Sequence, residues 1–409
     1  MPRIDVIIGA GYGDEGKGLT TSYWSTQFPE LKKKLVIRFN GGAQAGHTVE
    51  VKGKTRNFRH VFSHIGSGSY HEADTYLPEQ FIINPLLFKK EVAEIDFLGD
   101  VDIYVHPLAR VTTPIDMIIN QAIEMHRGYT TTKHGSVGVG INETIKRSEV
   151  LKYNLNAILI RCEPVEELMK KLQMIRDEWI PIRCGQLGFK LQPQFAELLT
   201  DKLLYNFILD CKYFKNQTKI GSSDILYDFD HLIFEGAQGL MLDMDYGKFP
   251  YVTHSNTGMK NVNAILNEAC ISDVRNIWYV TRCYSTRHGA GPMANEMDMK
   301  PFKGIVDKTN IPNDWQGTLR YSYLDLSSMF DIIAGDEPKG NAKVGYFVTC
   351  LDQIAEDDDV YVFDHGDLKN LGPAVQGMTK LLDSFSYHVF DSNIYYSIGP
   401  TADDVVLYK

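Results

Sequence analysis

Ile4-Asp-Val-Ile-Ile8-Gly-Ala-Gly-Tyr-Gly13-Asp-Glu-Gly-Lys-Gly18 runs from a short apolar stretch into a glycine-rich turn, and Leu19-Thr20 continue it as the start of a helix. A strand that feeds such a turn suits phosphate. Glycines let backbone N–H groups close around phosphoryl oxygens, the following helix N-terminus adds partial positive charge, and Lys17 supplies a mobile cation. Asp14 is the unusual member, because an anion in a phosphate cradle points to a metal ligand, a proton acceptor, or both. Taken alone, the same glycines would serve equally as a plain strand-to-helix connection.

Two more segments share the pattern. Asn40-Gly-Gly-Ala-Gln-Ala-Gly-His47-Thr48 follows the apolar run Leu35 to Arg38, and Phe234-Glu-Gly-Ala-Gln-Gly239 follows Leu232 and Ile233. Three glycine-bearing polar turns, each after a strand, predict an α/β sheet whose carboxyl ends form one cleft. Further strand-like runs lie at Ile103–His106, Ile158–Arg161, Ile277–Thr281, Tyr346–Leu351, Val360–Phe363 and Ile394–Ile398. Helical patterns separate most of them, which predicts a large, mainly parallel central sheet flanked by helices. Between about 163 and 216 the spacing of Val165, Leu168, Leu172 and Ile175, then Phe195, Leu198, Leu199 and Leu203, predicts a helical insertion. We expect one domain over 1–409 carrying that insertion.

Composition is that of an ordinary globular enzyme, with 44% hydrophobic and 23% charged residues. No apolar run approaches a membrane span and no signal-peptide pattern stands at Met1-Pro2-Arg3, so the expected location is cytoplasm, the host's if the source is viral. The six cysteines form no Cys-x-x-Cys pair, and reduced thiols are expected. A formal net charge of −10 argues against a nucleic-acid partner. The acidic run Glu356-Asp-Asp-Asp359 reads as a solvated loop.

The glycine-rich segments, together with Asp245-Tyr-Gly-Lys-Phe-Pro-Tyr-Val-Thr-His-Ser-Asn256, Tyr284-Ser-Thr-Arg-His-Gly-Ala-Gly-Pro292 and Ser397-Ile-Gly-Pro400, resemble the adenylosuccinate synthetase family over nearly the whole chain. That resemblance implies its P-loop-like fold, a homodimer, and joining of L-aspartate to the 6-position of a purine nucleotide with GTP and Mg²⁺. It casts Asp14 as general base and Mg²⁺ ligand, the Gly46 carbonyl as a second ligand, and His47 as the acid that stabilises the transferring phosphoryl group. Lys17 would neutralise phosphate charge and Gln238 would bond the base near its 6-position. The GTP site would comprise Gly13, Glu15, Gly16, Lys17, Gly18, Asp352, Ser397, Gly399 and Pro400. A carboxylate at 352 can accept from guanine N1–H and its 2-amino group, which favours GTP while leaving ATP possible. The purine monophosphate would meet Asp14, Gln44, Ser136, Arg147, Gln238 and Thr253, with Arg147 the candidate for an arginine reaching into the neighbouring subunit.

The chain departs from the family where L-aspartate would bind. A loop expected to carry Thr-Gly and four arginines reads Trp315-Gln-Gly-Thr-Leu-Arg320-Tyr, leaving Gln316, Gly317, Thr318 and Arg320 as the aspartate-binding candidates. Thr318 falls where an arginine normally contacts the ribose 2′-hydroxyl, so a deoxyribonucleotide fits better. These changes resemble the phage branch, whose members condense aspartate with dGMP on the way to diaminopurine in viral DNA, although many of those replace the aspartate kept here as Asp14. The first expectation is therefore a dGMP:aspartate ligase, with an IMP-dependent adenylosuccinate synthetase as alternative. A nucleotide-binding regulatory module without catalysis is the alternative of another class.

Overall fold

The computed structural model describes residues 2–53, 57–95, 101–130, 138–272, 275–306, 318–336, 342–387 and 393–409. In chain order its strands are β1 (Arg3–Gly9), β2 (Lys34–Ile37), β3 (His47–Val51), β4 (Phe58–Phe62), β5 (Asp74–Leu77), β6 (Ile103–Val105), β7 (Lys219–Ile220), β8 (His231–Glu235), β9 (Arg275–Arg282), β10 (Tyr284–Arg287), β11 (Arg320–Asp325), β12 (Ala342–Thr349), β13 (Asp359–Asp364), β14 (Asp367–Pro373), β15 (Ile394–Ser397) and β16 (Val405–Leu407). Ten of them form one sheet in the order β16-β15-β12-β9-β1-β8-β2-β5-β6-β7. Only the β15–β16 edge pair is antiparallel. The carboxyl ends of β1, β8, β2, β9 and β12 therefore open on one side of the sheet, with β1 at its centre.

Side-chain alternation builds a core on each face of this sheet. Ile4, Val6 and Ile8 of β1 join Leu232, Phe234, Ile277 and Tyr279 on one face, beneath the helices Met259–Glu268, Leu326–Asp336 and Ala374–Ser386. Ile7, Ile233, Trp278, Val280 and Phe347 face the other way. There α1 (Lys17–Thr26) lays Trp24 flat on Trp278, with ring centroids 4.5 Å apart. Packing of that size, about 3–5 kcal/mol for a buried tryptophan, anchors α1 on this face of the sheet.

A four-stranded sheet, β10-β11-β13-β14, stands apart from the main one. It takes in Val360–Phe363, which sequence alone would add to the central sheet. The hairpin of β3 and β4 is a third, two-stranded unit. Helices Val165–Met174, Ile180–Leu187 and Asp201–Gln217 fill much of the segment read as helical and share a separate core through Leu168, Leu172, Trp179, Phe207 and Phe214. The expected strand Ile158–Arg161 is instead the helix Ala157–Cys162. The side chain of Asn156 accepts from Leu159 N–H at 3.1 Å and caps it, and a short unbroken apolar run has no period to separate the two states. Asp358 in the acidic run is buried, its carboxylate accepting from the N–H groups of Lys303 and Ala355. Among the described residues no helix is long and apolar enough to cross a membrane.

Candidate active site

The glycine-rich loop leaves β1 at Gly9 and reaches α1 at Lys17. Gly13 and Gly16 take φ of 99° and 97°, and Asp14 itself takes 63°. Aspartate enters this left-handed region more readily than most residues, at a modest cost in free energy. Its neighbour turns the opposite way. Buried Glu15 accepts from the N–H groups of Gly11 at 3.1 Å and Gly13 at 2.7 Å and is ion-paired with buried Lys17. Glu15 thus acts as an internal counter-charge inside the loop, and Lys17 is held by it. No side chain caps the α1 N-terminus at Gly16, which leaves the positive end of that helix for an anion.

Asp14 faces out of the loop with 28% of its side chain exposed and its Oδ2 3.0 Å from His288 Nε2. Its carbonyl accepts from Arg282 Nε. Burial pushes the Asp14 carboxyl upward, but the His288 hydrogen bond and the charges of Arg282 and Lys17 outweigh it and hold the group below the usual carboxylate range. The carboxylate is ionised at neutral pH.

The other two turns meet this loop. Asn40 donates to the Ala237 carbonyl at 2.9 Å and accepts from Ala237 N–H at 2.7 Å, tying the turn after β2 to the turn after β8. A side chain at Gly18 would put its Cβ 2.7 Å from the carbonyl oxygen of Thr48. Only glycine lets α1 pack this closely on the hairpin that begins with His47. Gln238, like Asp14, has a left-handed φ, 62°.

Under His47 lies a buried polar network. Nδ1 is 2.5 Å from Glu235 Oε1, Ser67 donates to Glu235 through both N–H and hydroxyl, and Arg38 Nε stands 3.8 Å from Glu235 Oε2. Glu235 and Arg38 are fully buried. Burial raises the Glu235 pKa, yet His47 and Arg38 overcome it and hold the carboxyl at about 2. For His47 burial is the largest influence and lowers the pKa, Arg38 adds to it, and Glu235 opposes them without reversing the direction. With burial holding the His47 pKa down, the resting pair is an ionised Glu235 accepting the Nδ1–H of a neutral imidazole. That tautomer leaves a lone pair on Nε2.

Nε2 of His47 is buried without a hydrogen-bond partner, and so are Oε1 of Gln44 and Oε1 of Gln238. Three unmatched polar atoms on two adjoining turns are expensive unless a ligand completes them. Mg²⁺ usually takes one or two protein oxygens and fills its shell with water and phosphate. The Asp14 carboxylate and the Gly46 carbonyl are donors of that kind. Among the described residues no group of three His, Cys, Asp or Glu side chains gathers as an all-protein metal cage.

Around the expected nucleoside-triphosphate base, the N–H of Cys350 donates to Ser397 Oγ at 3.3 Å, and Asp352 is exposed beyond β12. Gly399 and Pro400 follow β15. Thr253 lies in the Asp245–Asn256 loop and donates its N–H to the Leu242 carbonyl at 2.8 Å. Two expectations change. Arg147 does not reach outward: it is fully buried, paired with Asp116 at 2.9 Å, and donates to the carbonyls of Val111 and Tyr153, each at 2.7 Å. Its donors are consumed inside the subunit, where it ties the helix Ile141–Ser148 to the core. Arg320 spends its guanidinium on Glu296 and on the carbonyls of Gly289 and Gly291, at 3.0 and 2.9 Å. An incoming carboxylate must therefore compete with Glu296. Thr318 is exposed, while Ser136, Gln316 and Gly317 lie outside the described residues.

Sequence reading missed Glu235, Ser67, Arg38, Arg282 and His288. Glu235 and His288 stood inside segments already singled out, and an acid directly after the apolar run Leu232–Phe234 was a usable signal for the first. Arg38 and Ser67 act across the fold and carry no local pattern.

A parallel sheet whose central strand enters a glycine-rich loop and a helix N-terminus, with Asp14, His47 and Gln238 gathered at the strand ends, belongs with α/β proteins that handle phosphate-bearing ligands. The chain is a member of the adenylosuccinate synthetase family, whose sequence model matches residues 6–316. Adenylosuccinate synthetase of Picrophilus torridus is 28% identical over 72% of this chain and 65% of its own length, so the match spans just under two thirds of that relative. The enzyme of Mesoplasma florum is 27% identical over 88% and 79%, and that of Microcystis aeruginosa 30% over 74% and 64%. A fully ligated adenylosuccinate synthetase from Plasmodium falciparum superposes with a TM-score of 0.76 over the whole of both chains at 17% identity. Cyanophage S-2L succinoaminodeoxyadenylate synthetase, bound to dGMP and to dATP as an energy donor, gives 0.61 over 99% of this chain and 95% of that one at 15% identity. Both structural likenesses are likenesses of fold.

Proposed function

We propose that the protein is a GTP- and Mg²⁺-dependent ligase that joins L-aspartate to the 6-position of dGMP and yields N6-succinyl-2-amino-2′-deoxyadenylate. What supports this reading is that the ionised Asp14, the unpartnered Nε2 of His47 and the unpartnered Oε1 of Gln238 stand on turns that follow the adjacent parallel strands β1, β2 and β8. Asp14 takes the N1 proton of the purine, and O6 becomes the nucleophile that attacks the γ-phosphorus of GTP as GDP leaves. The amine of L-aspartate then displaces phosphate from C6, and O6 departs as one oxygen of inorganic phosphate.

His47 serves both steps. Negative charge from the transferring phosphoryl group favours a proton on Nε2, while Glu235 supports the resulting imidazolium from Nδ1. Asp14 and the Gly46 carbonyl would hold Mg²⁺, which supplies charge neutralisation for the phosphates when bound. A backbone anion site at the α1 N-terminus, with Lys17 beside it, would bind the phosphates of GTP. ATP or dATP is a possible replacement, as the cyanophage structure with dATP illustrates for that enzyme. A homodimer in the cytoplasm completes the reading.

Preference for a deoxyribonucleotide rests on exposed Thr318 in place of an arginine and on Arg320 being held by Glu296. The curated relatives, all adenylosuccinate synthetases, favour the second reading, IMP. Parallel incubations with dGMP, GMP, dIMP and IMP, each with GTP, Mg²⁺ and L-aspartate and read by mass spectrometry, separate the two. Fastest conversion of dGMP is expected, and a clear preference for IMP moves the assignment to the second reading.

A further inference from the structure

Resting on that reading, we infer that His288 is a positioning residue for the general base, holding Asp14 Oδ2 so that Oδ1 meets the purine N1–H in one fixed orientation. The observation is the 3.0 Å contact between His288 Nε2 and Asp14 Oδ2, a side-chain hydrogen bond across more than two hundred residues of chain. Asp14 needs such a partner. It projects from a glycine-rich loop in a left-handed conformation, a carboxylate on such a turn has rotational freedom to lose, and misalignment of a base by a fraction of an ångström is costly in rate.

His288 is itself built in place from both sides. Arg287 lies over the Tyr12 ring, 4.4 Å from its centroid, and donates to the carbonyls of Tyr251, Ala290 and Pro292. Arg320 donates to the carbonyls of Gly289 and Gly291. Those two glycines take φ of 68° and 107°, so the segment turns sharply enough for two guanidinium groups to grip its backbone while His288 points at Asp14. The histidine is 22% exposed. Its substitution therefore removes a contact without opening a core.

The work assigned to His288 belongs to the first chemical step and not to GTP binding. The test uses the full-length protein with Mg²⁺, dGMP and GTP labelled with ¹⁸O in the β,γ-bridge, without L-aspartate, and follows scrambling of the label into the β-phosphate. His288→Ala is expected to slow scrambling and kcat about ten- to a hundred-fold, the worth of a hydrogen bond to a charged group, with KM for GTP and the denaturation midpoint unchanged. His288→Gln, whose amide nitrogen can stand where Nε2 stands, is expected to recover most of that loss. Wild-type scrambling in His288→Ala, or a loss that appears only in KM, overturns the role of His288 while leaving the proposed reaction intact. Absence of scrambling in the wild type with every purine monophosphate, with no phosphate released when L-aspartate is added, overturns the reaction and this role with it.

Discussion

Replacing Glu235 by glutamine isolates the charge beneath His47. The amide keeps an acceptor for the Nδ1–H and a partner for Ser67, so the substitution is close to isosteric, but it leaves the buried Arg38 guanidinium facing no anion. A carboxyl moved from 4.5 to about 2 in the folded protein has its charged form stabilised by about 3 kcal/mol. Leaving the partner cation buried alone costs about 3–5 kcal/mol in comparable pairs, so a loss of about 3 kcal/mol at pH 7 is expected. Because the folded value lies below the unfolded one, this stabilisation is complete above pH 4.5 and drains away as pH falls towards 2. Urea denaturation of both proteins, from pH 7 downward, should show a gap in midpoint that narrows below about pH 4.5. In turnover the variant loses support for the imidazolium and should fall roughly a hundred-fold in kcat with KM for GTP little changed. Equal midpoints at pH 7, or a gap indifferent to pH, would refute the electrostatic argument.

Asp14→Asn should abolish turnover, since an amide cannot take the N1 proton, with the denaturation midpoint near wild type and Mg²⁺-dependent GTP binding weakened by the loss of a metal ligand; substantial residual kcat removes Asp14 from its role. Arg147→Met should cost about 3–5 kcal/mol in urea denaturation because Asp116 is left buried and unpaired, and mixing the variant with an active-site mutant should show no complementation between subunits. Thr318→Arg should raise the ratio of kcat/KM for IMP over its deoxy counterpart; an unchanged ratio discredits the placing of Thr318 at the ribose.

Much of this arrangement is written locally. The strand at Ile4–Ile8 and the turn after it are legible because an apolar run and closely spaced glycines each have a short-range physical meaning, and His47 and Gln238 stand in turns of the same kind. β5 was illegible for the opposite reason, since Asp74-Thr-Tyr-Leu77 is too short to show alternation. Val360–Phe363 reads as a strand but nothing local says which sheet will take it. The site divides along the same line. Asp14 and His47 carry their own signal, whereas the groups that tune them, Arg38, Ser67 and His288, come from just beyond β2, the turn after β4 and the segment after β10, and only the folded chain brings them together. Arg147 misled because an arginine on a polar helix suggests an exposed face, and its partner Asp116 lies on another helix.

The central claim is that the purine's own oxygen captures phosphorus from the triphosphate. dGMP carrying ¹⁸O at C6 should be incubated with the protein, GTP, Mg²⁺ and L-aspartate, and the released inorganic phosphate examined by mass spectrometry. One ¹⁸O in each phosphate, in step with formation of the succinyl product, is the predicted result. Phosphate without label, or none released at all, would contradict it.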